Sequence, residues 1–339
     1  MKLQFKLAGS IAACILVLIL GIGIGSVFVP PQDIIKIIFS KIAQKEIYGI
    51  ESTFVAIVWN VRLPRVLVAF LAGGSLAVSG AVMQSILKNP LASSYTMGVS
   101  SGAALGAALV ILTGLTLPLI PAFTLPLAGT LAGLLTVYAS VKVASLVDRN
   151  FENSTIILVG IVFSLFINGI ITIIIALNRD GMARLIFWQM GSFASQNIKN
   201  FNVLLPVCAA ATLILTSRSH EMDLLTFGEE QAKTMGVDTK KVKWVLLFLA
   251  SALTGTVISF VGIIGFIDLI SPHIVRKLVG ARHKIVIPLS FCIGGTAMVL
   301  CDMTARTILS PQELPVGAIT ALAGAPFFCY VYFKGRRRT

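Results

Sequence analysis

A chain of 339 residues that is 56% hydrophobic and only 12% charged has too little polar surface to cover a soluble core of that size. Its formal net charge of +13 is scattered in small basic groups beside apolar runs, which is how membrane anchors are distributed and not how a nucleic-acid groove is built. The five cysteines (14, 208, 292, 301 and 329) lie in or beside apolar runs without metal-ligand spacing, and point to neither a disulfide framework nor a metal site.

Crossing roughly 30 Å of hydrocarbon as helix takes about 20 residues, and segment after segment is long enough. The first run, residues 7–29, follows Lys2 and Lys6; its basic start is signal-like, but it is long for a signal peptide and reads as a retained span. Residues 30–61, with Pro30-Pro31, three lysines, two glutamates and Trp59, suit an external loop with an interfacial helix. A second span runs from Arg62-Leu-Pro-Arg65 to about residue 87, where Lys88-Asn89-Pro90 breaks it. The third (96–113) is rich in Gly, Ala and Ser, which let helices approach closely; the fourth and fifth cover 117–142 and 154–177. The less apolar interval 178–200, with Arg179, Asp180 and Arg184, fits a short external helix. Five further spans follow at about 201–216, 243–261, 264–278, 285–303 and 314–333, the last ending before Arg336-Arg337-Arg338.

Between the sixth and seventh spans lies the one long polar stretch in the interior, residues 218–243. Thr226 precedes Glu229 by the spacing of a capping box. Glu229 and Glu230 fall where carboxylates favour a helix start, and Gly236 where a left-handed C-terminal cap belongs. Leu225, Ala232 and Met235 share a face at helical spacing. Two objects fit this pattern: a short amphipathic helix displayed to a soluble partner, or a solvated loop with incidental helix.

An even number of spans puts both termini on one side. With the termini inside, eighteen Lys and Arg are internal and nine external, which favours an N-in, C-in orientation and makes 218–243 cytoplasmic. Arg62, Arg65 and Arg306 then lie outside.

Arg-Leu-Pro-Arg (62–65), Ser-Gly-Ala-Val-Met-Gln (79–84), Asn-Pro-Leu-Ala (89–92) and Gly-Val-Ser-Ser-Gly-Ala (98–103) come in one order, followed by Gly-Glu-Glu-Gln-Ala-Lys-Thr-Met-Gly-Val (228–237), Ser-Pro-His-Ile-Val-Arg (271–276) and Glu-Leu-Pro-Val-Gly (313–317). From about residue 60 to the C-terminus the chain resembles the FecCD-type permeases, the iron–siderophore and cobalamin class of ABC importers. The resemblance implies an all-α integral membrane protein, a single permease domain over residues 1–339 with ten helices of the type II importer kind. It also implies work in a pair of permease subunits, with two cytoplasmic ATPases that bind the ATP and an external substrate-binding protein.

By the same resemblance, residues 228–237 dock in the ATPase, with Thr226, Gly228, Glu229, Glu230, Ala232, Met235 and Gly236 in the coupling segment. Arg62, Arg65 and Arg306 receive acidic residues of the binding protein. The sequence adds its own argument: two of these arginines flank Pro64 at a helix start, where the dipole disfavours positive charge, so an acidic group outside the chain is expected to compensate.

Two positions depart from the family pattern: Ile263 stands where Pro is usual, putting the sharpness of that turn in doubt, and Asp268 where Gly is usual. Asp268 reads either as a polar contact in the translocation path or as an acid near the outer mouth that reaches water; its place near a span end favours water. Ser154 and Thr155 are further path candidates, as is the small-residue third span, although small residues equally serve helix packing. His273 reads as packed between helices and hydrogen-bonded, His220 and His283 as solvated, and Asp302 and Arg306 as an i,i+4 pair. The terminal arginines suit an anionic lipid leaflet.

The sequence contains no Gly-x-x-x-x-Gly-Lys-Ser/Thr phosphate loop, so ATP-driven transport requires a separate ATPase; no cofactor or metal is expected in this chain. An ion-coupled secondary transporter is the rival reading, but it calls for ionisable groups near the bilayer midplane, whereas Asp268, Asp302 and Glu313 fall near span ends. An intramembrane hydrolase would need a nucleophile with a base or a metal-ligand set, and neither is found. The resemblance, and not the eliminations, makes a ferric siderophore the expected cargo, with cobalamin and haem as the alternatives in the same family.

Overall fold

The computed structural model describes residues 2–25, 27–47, 49–178 and 181–336. Arg179, Asp180, Arg337 and Arg338 lie outside the described residues. Among the described residues the chain is helical throughout, without strands.

Helix α1 (Lys2–Gly23) leads to α2 (Pro31–Ile42), which opens with proline at its first position, where a missing N–H costs nothing, and buries Ile34 and Ile37. α3 (Ser52–Ala56) passes through a π-helical segment, Ile57–Arg62, straight into α4 (Leu63–Ile86). The second span therefore starts about ten residues before the arginine motif. α5 (Val99–Thr113), α6 (Thr124–Val147) and α7 (Asn153–Leu177) follow, then the short α8 (Met182–Gln189) in the interval where a short helix is expected. α9 (Ile198–Ser217), α10 (Ser219–Phe227), α11 (Glu229–Thr234), α12 (Thr239–Val261), α13 (Ile267–Val279), α14 (His283–Thr307) and α15 (Val316–Arg336) complete the chain.

Each of the ten expected spans has its helix. Ser52–Ile86, Pro121–Val147, α7, α9, α12 and α14 are long and apolar enough to cross a membrane, and α1, α5 and α15 carry shorter apolar stretches. α13 differs. At 13 residues it is about 20 Å long, short of a hydrocarbon core of roughly 30 Å.

α4 is the axis of the bundle, buried along nearly its whole length and packed by α14, α12, α13 and α9. Small residues make this possible. A Cβ on Gly73 would fall on the Gly294 carbonyl, so α4 and α14 cross backbone to backbone. α5 packs on α6 in the same way, Gly102 against Thr136 and Ala132 and Gly106 against Ala128. Gly102 and Gly106 of the third span are therefore packing surface, one of the two roles its small residues allow. By contrast α7 exposes Leu158, Val162, Leu165, Phe166 and Ile173, an apolar face that nothing among the described residues covers.

The chain does turn sharply after α12 without the family's proline. Gly262 (φ 79°) and Phe266 (φ 68°) both take the left-handed region, and the Gly262 Cα lies too close to the Trp188 carbonyl for a side chain.

Candidate functional site

α14 carries His283 on its first residue and Arg306 in its last turn, about 35 Å apart at 1.5 Å per residue. The arginine motifs and the 218–243 segment thus occupy opposite ends of the bundle.

At the arginine end the three expected residues come together, but as buried groups with partners inside the chain. Arg65 Nη2 lies 2.8 Å from Asp302 Oδ1, and Arg65 Nη1 lies 2.6 Å from Glu313 Oε1. Arg62 donates to the carbonyls of Ile22 (3.0 Å), Gly23 (2.8 Å) and Val27, and Arg306 donates to that of Gly21. The carbonyls of Gly21, Ile22 and Gly23 form the C-terminal end of α1, whose orphan acceptors and negative dipole end call for cations, and Val27 lies in the loop that follows. The expectation that compensation comes from outside the chain is therefore corrected: α1, Asp302 and Glu313 supply it. Arg306 Nε stands 3.8 Å from Asp302 Oδ2, so the expected i,i+4 pair is the looser half of a network that Arg65 dominates. The arginines border a cleft of about 270 Å³ with Gly25, Val61 and Glu313. The Glu313 side chain, 37% exposed, is the accessible member of the network.

At the other end the polar segment folds as two helices bent at Gly228, whose φ of 133° is outside ordinary L-residue conformations. The capping box does not form. Thr226 is spent in the last turn of α10, donating to the Asp223 carbonyl at 2.6 Å, and Gly228 takes the cap position of α11. Glu229 instead reaches Lys243 Nζ at 2.7 Å. Lys243 is 1% exposed and also donates to the Phe151 carbonyl at 2.9 Å, which ties α11 and the turn before α7 to the base of α12. In that turn Asp148 accepts the amides of Glu152 (2.7 Å) and Asn150 (2.8 Å), and these hold its carboxyl below the usual carboxylate range.

The C-terminal cap forms as expected: Val237 N–H reaches the Ala232 carbonyl, Gly236 N–H reaches that of Lys233, and Gly236 has φ 86°. Leu225 and Ala232 are buried, but Met235 is half exposed, so the expected shared face is corrected at its last member. Phe227, Glu230 and Met235 project outward. His283, expected to be solvated, is buried with its Nδ1 2.6 Å from Asp223 Oδ1.

Midway along the bundle, α13 begins against α4, where a Cβ on Gly80 would strike the Asp268 carbonyl. Asp268 is 3% exposed and does not reach water, which corrects the favoured reading of its position. Its Oδ2 accepts from Ser93, and its Oδ1 has no hydrogen-bond partner in the protein. Tyr95 donates to the Ile264 carbonyl at 2.6 Å, and Gln84 Nε2 reaches the carbonyls of Asp268 and Leu269, both at 3.3 Å. The 93–97 turn and the start of α13 are thus held as one unit. His273 Nε2, expected to be bonded, is buried without a partner. Ser154 is exposed and Thr155 half-buried at the start of α7.

The geometry combines an apolar helical bundle around α4, a short helix α13 packed on it and a two-helix polar segment at one end. A model of the FecCD transport family matches residues 13–334. The chain belongs to that family. It is 38% identical over 320 residues to an uncharacterised ABC transporter permease of Bacillus subtilis, covering 94% of this chain and 91% of that protein. It is 36% identical to a cobalamin import system permease of Halobacterium salinarum (84% and 75% covered). Identity is 32% to an Fe(3+)-citrate import system permease of B. subtilis (98% and 96%). A solved metal-chelate type ABC transporter, in an inward-facing conformation, superposes with a TM-score of 0.83 at 28% identity, covering 98% of this chain and 99% of that one. This FecCD-family chain is accordingly a multi-pass membrane permease.

The residues that sequence reasoning missed are the partners. Glu313 lies inside a quoted motif and Asp302 four residues before Arg306, yet neither spacing reveals that both converge on Arg65 from across the fold. Lys243 reads as one basic residue among several, with no signal of its burial.

Proposed function

We propose that this chain is the permease subunit of a binding-protein-dependent ABC importer for a metal chelate, most naturally a ferric siderophore. The observation that carries the reading is the mounting of α11. A six-residue helix is fixed from behind by Lys243, buried Ala232 and the Gly236 cap, and it presents Glu230 and Met235 outward at the end opposite the arginine cleft. In this reading both termini and α10–α11 are cytoplasmic, and the exposed side of α11 seats in an ATPase subunit, which supplies the nucleotide site that this sequence lacks.

Two permease subunits, two ATPases and one external binding protein make up the assembly, and the bare face of α7 meets the second permease or lipid. The arginine cleft faces outward, and an acidic residue of the binding protein engages Arg65 by displacing the half-exposed Glu313. Ser154 and Thr155 serve the pathway from the start of α7, while Asp268 holds the 93–97 turn to α13 rather than touching cargo. The chelate class is supported by relatives named for ferric citrate and cobalamin import.

Proteoliposomes test the reading. Permease, ATPase and binding protein together take up ferric chelate only with ATP, and the permease alone with a proton or sodium gradient takes up none. Gradient-driven uptake by the permease alone would overturn it.

A further inference from the structure

A second polar cavity, of about 300 Å³, opens at the α10–α11 end of the bundle between α4, α10 and the α13–α14 turn. Its chemistry is cationic. Arg276 and Lys88 line it, together with Ser85, Gln84, Thr226 and His283. Arg276 is aimed by its donations to the Gln84 side chain and, at 3.0 Å, to the Ala81 carbonyl. His283 holds Asp223 with its backbone N–H (3.0 Å) and with Nδ1, which leaves Nε2 on the other edge of the ring.

Two of the lining side chains are more than nine-tenths buried and lack partners among the described residues, Ser85 at Oγ and His283 at Nε2. Each such orphan costs about 1–3 kcal/mol; Ser85 Oγ can donate to a bound group, whereas His283, whose ring proton at Nδ1 goes to Asp223, offers Nε2 as an acceptor. Ser85 reaches such a group by rotation about χ1. Lys88 adds an independent sign. It closes α4 with φ 49°, a left-handed conformation in which glycine is the usual residue, so a strained backbone is retained to place a cation here.

We infer that this cavity binds a phosphate group, with Arg276 and Lys88 neutralising its charge, Ser85 donating to one of its oxygens and His283 Nε2 accepting from its P–OH. A hydrogen phosphate, accepting at its unprotonated oxygens and donating at its P–OH, matches a set of two cations, one donor and one acceptor, whereas water leaves both cations without a counterion. Free phosphate and the monoester headgroup of phosphatidic acid share this chemistry. The inference does not rest on the importer reading, since it uses no partner subunit.

The test is thermal unfolding of the full-length permease in nanodiscs at constant ionic strength, titrating inorganic phosphate against chloride in phosphatidylcholine discs, and comparing phosphatidylcholine with phosphatidic acid discs. The informative variant is Lys88→Gly, which relieves the left-handed backbone and so removes the cation without endangering the fold; Ser85→Ala is the second. A saturable stabilisation by inorganic phosphate supports the site and identifies free phosphate as ligand. A stabilisation given only by phosphatidic acid supports it with a lipid headgroup as ligand. In the first case Lys88→Gly raises the half-saturating phosphate concentration about tenfold or more, the loss of one charge-assisted contact, and in the second it removes most of the phosphatidic acid stabilisation. No anion-specific stabilisation in either arm, or a stabilisation unchanged in both variants, overturns the proposal and leaves the cavity to water or to an acidic side chain of a partner protein.

Discussion

Lys243 Nζ lies 2.7 Å from Glu229 Oε1, one partner in the interior at the base of α12 and the other in the first turn of a helix that is otherwise at the surface. The lysine is 1% exposed and its remaining bond goes to the Phe151 carbonyl. One ammonium thus joins α11, α12 and the turn before α7, so a displacement of α11 is carried to two long helices through a buried ionic contact.

Lys243→Met tests that joint. The side chain stays unbranched and is one atom shorter, while the Phe151 carbonyl loses its donor and Glu229 its partner. Because Glu229 is partly solvated, the expected loss is about 1–3 kcal/mol, below the full cost of a stranded buried ion. Thermal unfolding of the purified permease measures it. In the assembled transporter the variant is expected to hydrolyse ATP with less uptake per ATP; unchanged coupling would make the joint structural only.

Glu230→Lys separates docking from folding. Its side chain is 93% exposed and its pairing with Lys233 is a loose 3.6 Å contact, so the reversal is expected to leave stability within about 0.5 kcal/mol. Association with the ATPase, read by co-purification, is expected to fall. Retained association together with normal uptake would return α11 to a solvated surface helix.

The arginine cleft asks for a different variant than its sequence suggests. Arg65→Glu would set three carboxylates against one another and cost about 3–5 kcal/mol by stranding Asp302, so lost docking would say nothing about docking. Glu313→Gln frees one side of Arg65 and leaves Asp302 in place. If Glu313 competes with an acid of the binding protein, this variant binds more tightly and with a steeper salt dependence. Affinity in nanodiscs at two salt concentrations decides, and equal affinity and slope would remove Glu313 from the docking site.

Much of the fold was legible because apolar segment length is a one-dimensional signal: all ten expected spans match helices, and Gly236 caps where its position indicated. What stayed hidden required knowing which helices touch. Asp268 looked close to water because it is near a span end in sequence, whereas α13 is too short to span and begins inside the bundle. Arg62 and Arg306 looked unpaired because the α1 carbonyls they cap are about forty and nearly three hundred residues away in sequence. Thr226 and Glu229 had the right spacing for a capping box, but α10 had already consumed Thr226 in a helix of its own.

The start of α13 supports the last prediction. Two features meet there, the side chain of Asp268 on Ser93 and the backbone of Asp268 on Gly80, and they carry different loads. Asp268→Asn keeps the shape and an acceptor for Ser93, and removes a carboxylate whose second oxygen has no partner. It is therefore expected to be neutral or slightly stabilising, since an unsatisfied buried charge is costly. Gly80→Ala puts a methyl group onto the Asp268 carbonyl in a region where α4, α13 and the 93–97 turn leave no room. Overpacking of this kind costs about 1–3 kcal/mol or more, and here both sides of the clash are backbone, which yields less than a side chain does. Gly80→Ala is expected to lower thermal stability and to weaken uptake, while Asp268→Asn preserves both. If Asp268→Asn abolished uptake in a stably folded permease, the carboxylate itself would belong to the pathway, and its assignment as a positioning residue for α13 would be wrong.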